Sequence, residues 1–265
     1  MTFPQKALVL LGTWSRPPDT PSKIALGLAA VVALAALLGR GRSLLFGDEE
    51  GSRHEQRLDR RRFLAIFGVI AGLFSIAYIS IYLRGGPRII DATTYFLQGR
   101  ALSHGDLSWT PLEPSASFRG RFLLYREAGP DAPSLGGIFP PGYPLLLAFG
   151  FMLGAPMIAG PLVAIGLVVA TYQLARALAD DALPALAEPI ARTAALVSLF
   201  CAALRYHTAD TMSHGAAALG ITIALTCAIR ARQARLRALE RPRAADDAGR
   251  LGRGRAEALL AGLAI

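Results

Sequence analysis

The side chains with chemistry to offer concentrate in one polar stretch, residues 84–142. It holds Asp91, five other acidic or histidine side chains, and six arginines. It is the one long polar segment that leaves an apolar run and returns to one. Asp91 follows Arg88, Ile89 and Ile90 at the start of a helical pattern. Two roles stay open for it. It can cap the helix by accepting backbone N–H bonds, or it can display a carboxylate at headgroup depth. Arg119, Arg121 and Arg126 flank a hairpin-like segment, 118–139. They fit either solvated and headgroup contacts or a phosphate clamp, for which a forked guanidinium is suited.

Pro140, Pro141, Gly142, Tyr143 and Pro144 predict a rigid bend before the next apolar run, because proline fixes φ and glycine permits unusual angles. A simple turn back into the membrane explains it equally. His207, Asp210 and His214 cluster farther on. They read as polar helix ends or, less readily, as metal ligands. His104 reads as a turn residue. Cys201 and Cys227 fall inside apolar runs and read as small packed hydrophobes, with no disulfide or metal spacing.

The elements that position these residues follow from composition. The chain has 265 residues, 53% of them hydrophobic, gathered into runs near membrane-spanning length. The net charge of +9 does not indicate nucleic acid as a partner. Seven arginines lie in 39–62 and nine in 230–255, between apolar runs. That is the pattern of cytoplasmic loops, which retain positive charge.

Residues 24–38 form an apolar run of 15, short for a span, and read as an extra anchor. A signal peptide lacks a clean cleavage site here, and a misplaced start is the other alternative. Residues 63–83 are 21 uncharged residues and make the clearest spanning helix. Gly68 and Gly72 allow close helix approach there, and Tyr78 and Tyr82 suit an interfacial end. Residues 144–153 are too few to span and predict a re-entrant or interfacial piece. Residues 156–178 predict a span, 179–192 a turn, and 193–206 a return. Then 207–212 predict a short outer loop, 213–229 a last span, and 230–255 a cytoplasmic loop. A new apolar run starts at 256 and the chain stops within it, which suggests a fragment.

On the helix after Asp91, Ala92, Tyr95, Phe96, Gly99 and Leu102 share one face. Thr94, Gln98 and Arg100 fall towards the other, which suits an amphipathic interfacial helix. The expected fold is therefore an all-α integral membrane protein. It is a multi-span helical bundle with one long extracytoplasmic loop carrying the amphipathic helix and a possible hairpin. Residues 1–62 form an anchor and Arg-rich loop, and 63–265 form the transmembrane domain.

One series of residues goes further. Asp91, Tyr95, Gln98, Ala101-Leu102 and Gly105-Asp106-Leu107 precede a polar hairpin, then FPPGYPLLLAFGFMLGAP, a span ending LARAL, and TMSH. Over roughly residues 63–230 this resembles the GT-C membrane glycosyltransferases, nearest the bacterial protein O-mannosyltransferase and aminoarabinose-transferase-like group. The resemblance implies a multi-pass protein of the bacterial inner membrane with its active site outside. It implies a polyprenyl-phosphate-linked sugar as donor and a lipid, glycan or protein as acceptor. It places the acceptor's base at Asp91. Members often carry Asp-Glu where this chain has Asp91-Ala92. The departing phosphate needs cationic stabilisation, for which Arg119, Arg121, Arg126 and Arg205 are candidates. Tyr95, Gln98, Pro140, Pro141, Gly142, Tyr143 and His214 would shape the site. The sequence requires no cofactor and leaves a divalent metal open. The alternatives are a transporter of lipid-linked sugar and a scaffold that kept the bundle without the chemistry. The spans 63–83 and 156–175 contain no ionisable residues of the kind a transporter needs.

Overall fold

The computed structural model describes residues 53–110, 122–126 and 133–240, together with Gly27 and Val31. It is mostly helical. Helix α1, Arg53–Ala77, continues into one π-helical turn, Tyr78–Tyr82. Helix α2 covers Ile90–Ser103. Strands β1, Leu123–Arg126, and β2, Ser134–Gly137, follow. Helix α3 is Gly142–Met152, α4 is Ala159–Ala182, and α5 is Ala187–Phe200. Helix α6, Ala202–Ala209, and α7, Ser213–Glu240, complete the set.

Among the described residues, three helical stretches are long and apolar enough to cross a membrane: His54–Tyr82, Pro156–Ala182 and Ser213–Leu239. Helices α5 and α6, bent by 62° at their junction, add a fourth if the pair is one span. Helix α4 is the central post, with α1, α5 and α7 packed on it. The largest core cluster joins Phe63, Phe67 and Ala71 of α1 to Val168 and Tyr172 of α4 and Ala191, Ala195 and Leu199 of α5. Gly68 and Gly72 face inward, where Cβ atoms would stand 3.4 and 3.1 Å from Ile165. The small-residue spacing is thus used within the chain, against α4.

Several boundaries differ from the sequence reading. Residues 53–62 are not loop but the first turns of α1. Residues 230–240 likewise extend α7. Both segments are rich in Arg, Gln, Glu, Leu and Ala, good helix formers with no glycine or proline among them. Charge moved the expected helix end inward although nothing there stops a helix. The turn expected over 179–192 shrinks to Leu183 and a 3₁₀ turn, Pro184–Leu186. The return span over 193–206 is two helices broken at Cys201, whose backbone is extended at φ −68°, ψ 114°. The Phe200 carbonyl at the break accepts from Arg205 Nη1 at 3.2 Å.

The hairpin is present and antiparallel, with Tyr125 opposite Leu135 and Arg126 opposite Ser134. Its return strand is 134–137, earlier than the expected Ile138-Phe139. Trp109 adds one bridge to Leu135 through bonds of 2.8 Å in both directions. The N-terminal run 24–38, apart from Gly27 and Val31, and the run 256–265 lie outside the described residues.

Candidate functional site

Three segments far apart in sequence meet at one corner of the bundle. The first is the start of α2. The second is the bend 139–143. The third is the link between α6 and α7. The Thr211 hydroxyl donates to the Ala92 carbonyl at 2.7 Å. The hydroxyls of Tyr95 and Ser213 are hydrogen-bonded at 2.9 Å. Tyr95 also stacks on Phe139, centroids 4.0 Å apart, and meets Tyr143 edge-on at 5.7 Å. Gln98 Nε2 donates to the Phe139 carbonyl at 2.8 Å. The Tyr143 hydroxyl lies 3.5 Å from the Asp210 carbonyl.

The corner is tight because two glycines admit backbone where a Cβ would not fit. A Cβ on Gly160 would lie 2.6 Å from the Thr208 carbonyl oxygen. One on Gly215 would lie 2.6 Å from the His207 carbonyl oxygen. Such distances mean that α4 and α7 grip the end of α6 through its backbone.

Asp91 is not the cap of α2. The helix begins at Ile90, and the capping position is Ile89, with no side-chain cap bond. Asp91 sits one residue inside the first turn and is partly exposed. A carboxylate there is favoured by the helix dipole. Among the described residues no hydrogen bond or ion pair engages it. The helix is also less amphipathic than expected, since Thr94 and Gln98 are buried with Ala92 and Tyr95. Thr94 satisfies its hydroxyl on its own helix at the Ile90 carbonyl, 3.1 Å away, and Gln98 Nε2 bonds the Phe139 carbonyl while its Oε1 is buried without a partner.

Asp210 carries the sharper signal. The expected loop 207–212 is shorter than its range, since α6 runs to Ala209, and its remaining residues Asp210, Thr211 and Met212 are all buried against the bundle. Asp210 is 0% exposed. Its Oδ1 accepts from the Thr211 N–H at 2.8 Å, while Oδ2 has no hydrogen-bond partner. Burial pushes its carboxyl above the ordinary range, against the opposing pull of the Thr211 N–H and the nearby Tyr206 hydroxyl. Burial, helped by the Asp210 charge, also raises the Tyr143 phenol, so that it stays a neutral donor. A buried carboxylate with one oxygen left unbonded is costly, and a strongly perturbed carboxyl is a common mark of a functional site. His207 and His214 stand ring to ring at 5.2 Å, with His207 Nδ1 also buried and unbonded. Among the described residues no group of three or more His, Cys, Asp or Glu side chains is placed to hold a metal ion.

Asp210 gives the first testable consequence. The fold raises its pKa, so the fold favours the protonated form. Its contribution is therefore full below its unfolded value, about 3.9, and is lost as pH rises through the higher folded value. Asp210→Asn does not titrate and keeps an oxygen for the Thr211 N–H. Thermal unfolding followed by circular dichroism should show Asn more stable than wild type at pH 7. The gap should close towards pH 3.5. A gap that is constant with pH would mean that burial does not penalise the charge.

Of the four candidate phosphate arginines, the two described ones, Arg126 and Arg205, are not brought together. Arg126 is exposed at the end of β1. Arg205 is 5% exposed and lies inside the bundle. There it lines a small, partly open pocket with Ala71, Ala164, Ser198 and Thr208. Arg119 and Arg121 lie outside the described residues. Pro140, Pro141 and Gly142 are exposed at the bend, and His214 is exposed at the start of α7.

At the opposite, Arg-rich end lies an ion network that sequence reasoning missed. Arg192 is 2% exposed, bonded to Asp59 of α1 and, at 2.9 Å, to Glu188. Glu188 also accepts from the Tyr172 hydroxyl at 2.7 Å and pairs with Arg60 at 3.3 Å and with Arg176. The Arg192 guanidinium stacks over Phe63 at 4.8 Å. The available signal was the four-residue spacing of Glu188 and Arg192 beside an apolar helix face.

Searches against protein-family models, characterised proteins and solved structures find no match to this chain.

Proposed function

We propose that the protein is a multi-pass membrane glycosyltransferase that moves a sugar from a polyprenyl-phosphate donor to an acceptor hydroxyl. The membrane is the bacterial inner membrane, and the acceptor is a lipid, glycan or protein. The observation that carries this reading is the corner itself. One partly exposed carboxylate, Asp91, and one buried carboxylate with an unbonded oxygen, Asp210, lie next to residues that hydrogen-bond each other, Ala92 and Thr211. The two come from segments about 120 residues apart, and the bond between them spans 119 positions.

The orientation follows from charge. The arginines of 53–62 and 230–237 sit at the end of the bundle that carries the Glu188 network. They favour the cytoplasmic side, which leaves the Asp91–Asp210 corner outside. A donor with a membrane-buried lipid presents its sugar–phosphate bond at headgroup depth, the level at which such a corner would stand. Asp91 takes the acceptor proton as the hydroxyl attacks the anomeric carbon and the polyprenyl phosphate departs. The Tyr143 phenol and the Asp210 carboxyl shape and polarise the floor beside it.

Membranes containing the full chain, incubated with a radiolabelled polyprenyl-phosphate sugar, test the reading. Label appearing on an endogenous acceptor supports a transferase. Label crossing the membrane without transfer identifies a transporter. Neither outcome identifies a scaffold and removes the proposal.

A further inference from the structure

We infer that the Arg-rich end of the bundle is a binding surface for anionic phospholipid, built from two cation-headed apolar stripes on α1 and α7. On α1 the exposed apolar side chains are Ile66, Val69, Leu73 and Ile76, a stripe with helical spacing. Arg62, exposed, stands one turn before Ile66, with exposed Arg61 beside it. From Ile66 to Ile76 the stripe is about 15 Å long at 1.5 Å per residue, one leaflet of a core about 30 Å thick. On α7 exposed Ile221, Leu225 and Ala228 lead in the same way to exposed Arg232 and Arg235.

Both cationic heads flank the C-terminal turns of α4. Arg60 reaches Glu188 from one side, while Arg232 reaches Asp181 and Gln233 bonds the Ala177 carbonyl from the other. Among the described side chains, the acids of this end are already engaged. Asp59 and Glu188 hold Arg192, Asp180 lies 3.8 Å from Arg176, and Asp181 lies 3.7 Å from Arg232. Among the described residues no acid is paired with Arg61, Arg62 or Arg235. The chemistry left over is a row of cations at the head of a dry surface. It matches an acyl chain topped by a phosphate of net negative charge. A zwitterionic headgroup carries its own cation and fits less well. The surface is distinct from the Asp91–Asp210 corner, and the inference rests only on the helices lying in a membrane. Failure of sugar transfer would leave it standing.

The test is native mass spectrometry of the full chain in detergent with equimolar phosphatidylglycerol and phosphatidylcholine. Arg61→Gln with Arg62→Gln forms one variant, and Arg232→Gln with Arg235→Gln a second. Arg84→Gln with Arg100→Gln, exposed and far from both stripes, is the control of equal charge loss. Each arginine near such a headgroup is expected to contribute about fivefold in affinity. Each stripe variant should therefore lose about 25-fold in phosphatidylglycerol retention, and the control should lose little. Raising salt to 0.5 M should weaken phosphatidylglycerol and spare phosphatidylcholine in the wild type, a readout that needs no variant to fold. Equal retention of the two lipids, unchanged retention by both stripe variants, or equal loss in the control would overturn the inference. So would displacement of the lipid by millimolar inorganic phosphate, which would make the site one for free phosphate.

Discussion

Asp91→Asn should fold and insert normally and transfer sugar about 10²–10⁴-fold more slowly, the usual worth of a general base. Two observations sharpen this expectation. Asp91 lies one residue inside α2 and makes no capping bond, so its replacement removes no structural bond. Asparagine keeps the shape of the side chain and loses only the ability to take a proton. A small dipole contribution at the helix start, about 0.3–1 kcal/mol, also goes with the charge. The measurement is turnover of labelled donor by membranes normalised for protein amount, with thermal unfolding alongside. Near-normal turnover would remove Asp91 from the mechanism and leave Asp210, already buried at the same corner, as the carboxylate to test. Asp210→Asn should behave differently, with stability rising at pH 7. The two variants together separate a base from a buried polar group.

The second large effect is structural and lies at the other end. Arg192→Ala should destabilise the bundle by about 3 kcal/mol, the low end for breaking a buried ion pair. The low end applies because Asp59 is 35% and Glu188 23% exposed at the side chain, so water takes over part of the lost interaction. Arg192 joins α1 to α5 through Asp59 and Glu188 and lies against the Phe63 ring. Its loss leaves two carboxylates facing each other across that junction. Replacing Asp59 and Arg192 together with leucine, which leaves Glu188 to Arg60, Arg176 and Tyr172, should restore part of the stability, since a well-packed apolar substitute for an ion pair is often neutral or better. Denaturant or thermal unfolding in detergent micelles measures both. A single variant as stable as wild type would mean that Arg60 and Arg176 already compensate Glu188 in full.

Both effects depend on features that the sequence shows unequally. Asp91 was legible because a polar residue directly after an apolar run and before a helical pattern is visible in one dimension. The run 63–83 was legible for the same reason, since 21 uncharged residues suffice to identify a span. Helix ends were less so. The arginines of 53–62 and 230–240 look like loop by charge, yet they are good helix formers and the helices run on through them.

The site as a site was not legible. Ala92, Phe139, Tyr143, Asp210 and Ser213 come together only because α4 and α7 grip the backbone of α6 at Gly160 and Gly215, a matter of clearances of a few tenths of an ångström. Burial of Thr94 and Gln98 on the face expected to be polar depends on partners 41 or more residues away for Gln98, and on local backbone for Thr94. Asp210 has the same sequence signature as any helix-end acid; its closed surroundings belong to the packed corner. The sequence alone determined which segments are apolar enough to leave water and which side chains could do chemistry. The tertiary structure decided which of those side chains meet, because hydrophobic periodicity records burial against an average environment, whereas a hydrogen bond or a steric clearance is specific to one neighbour.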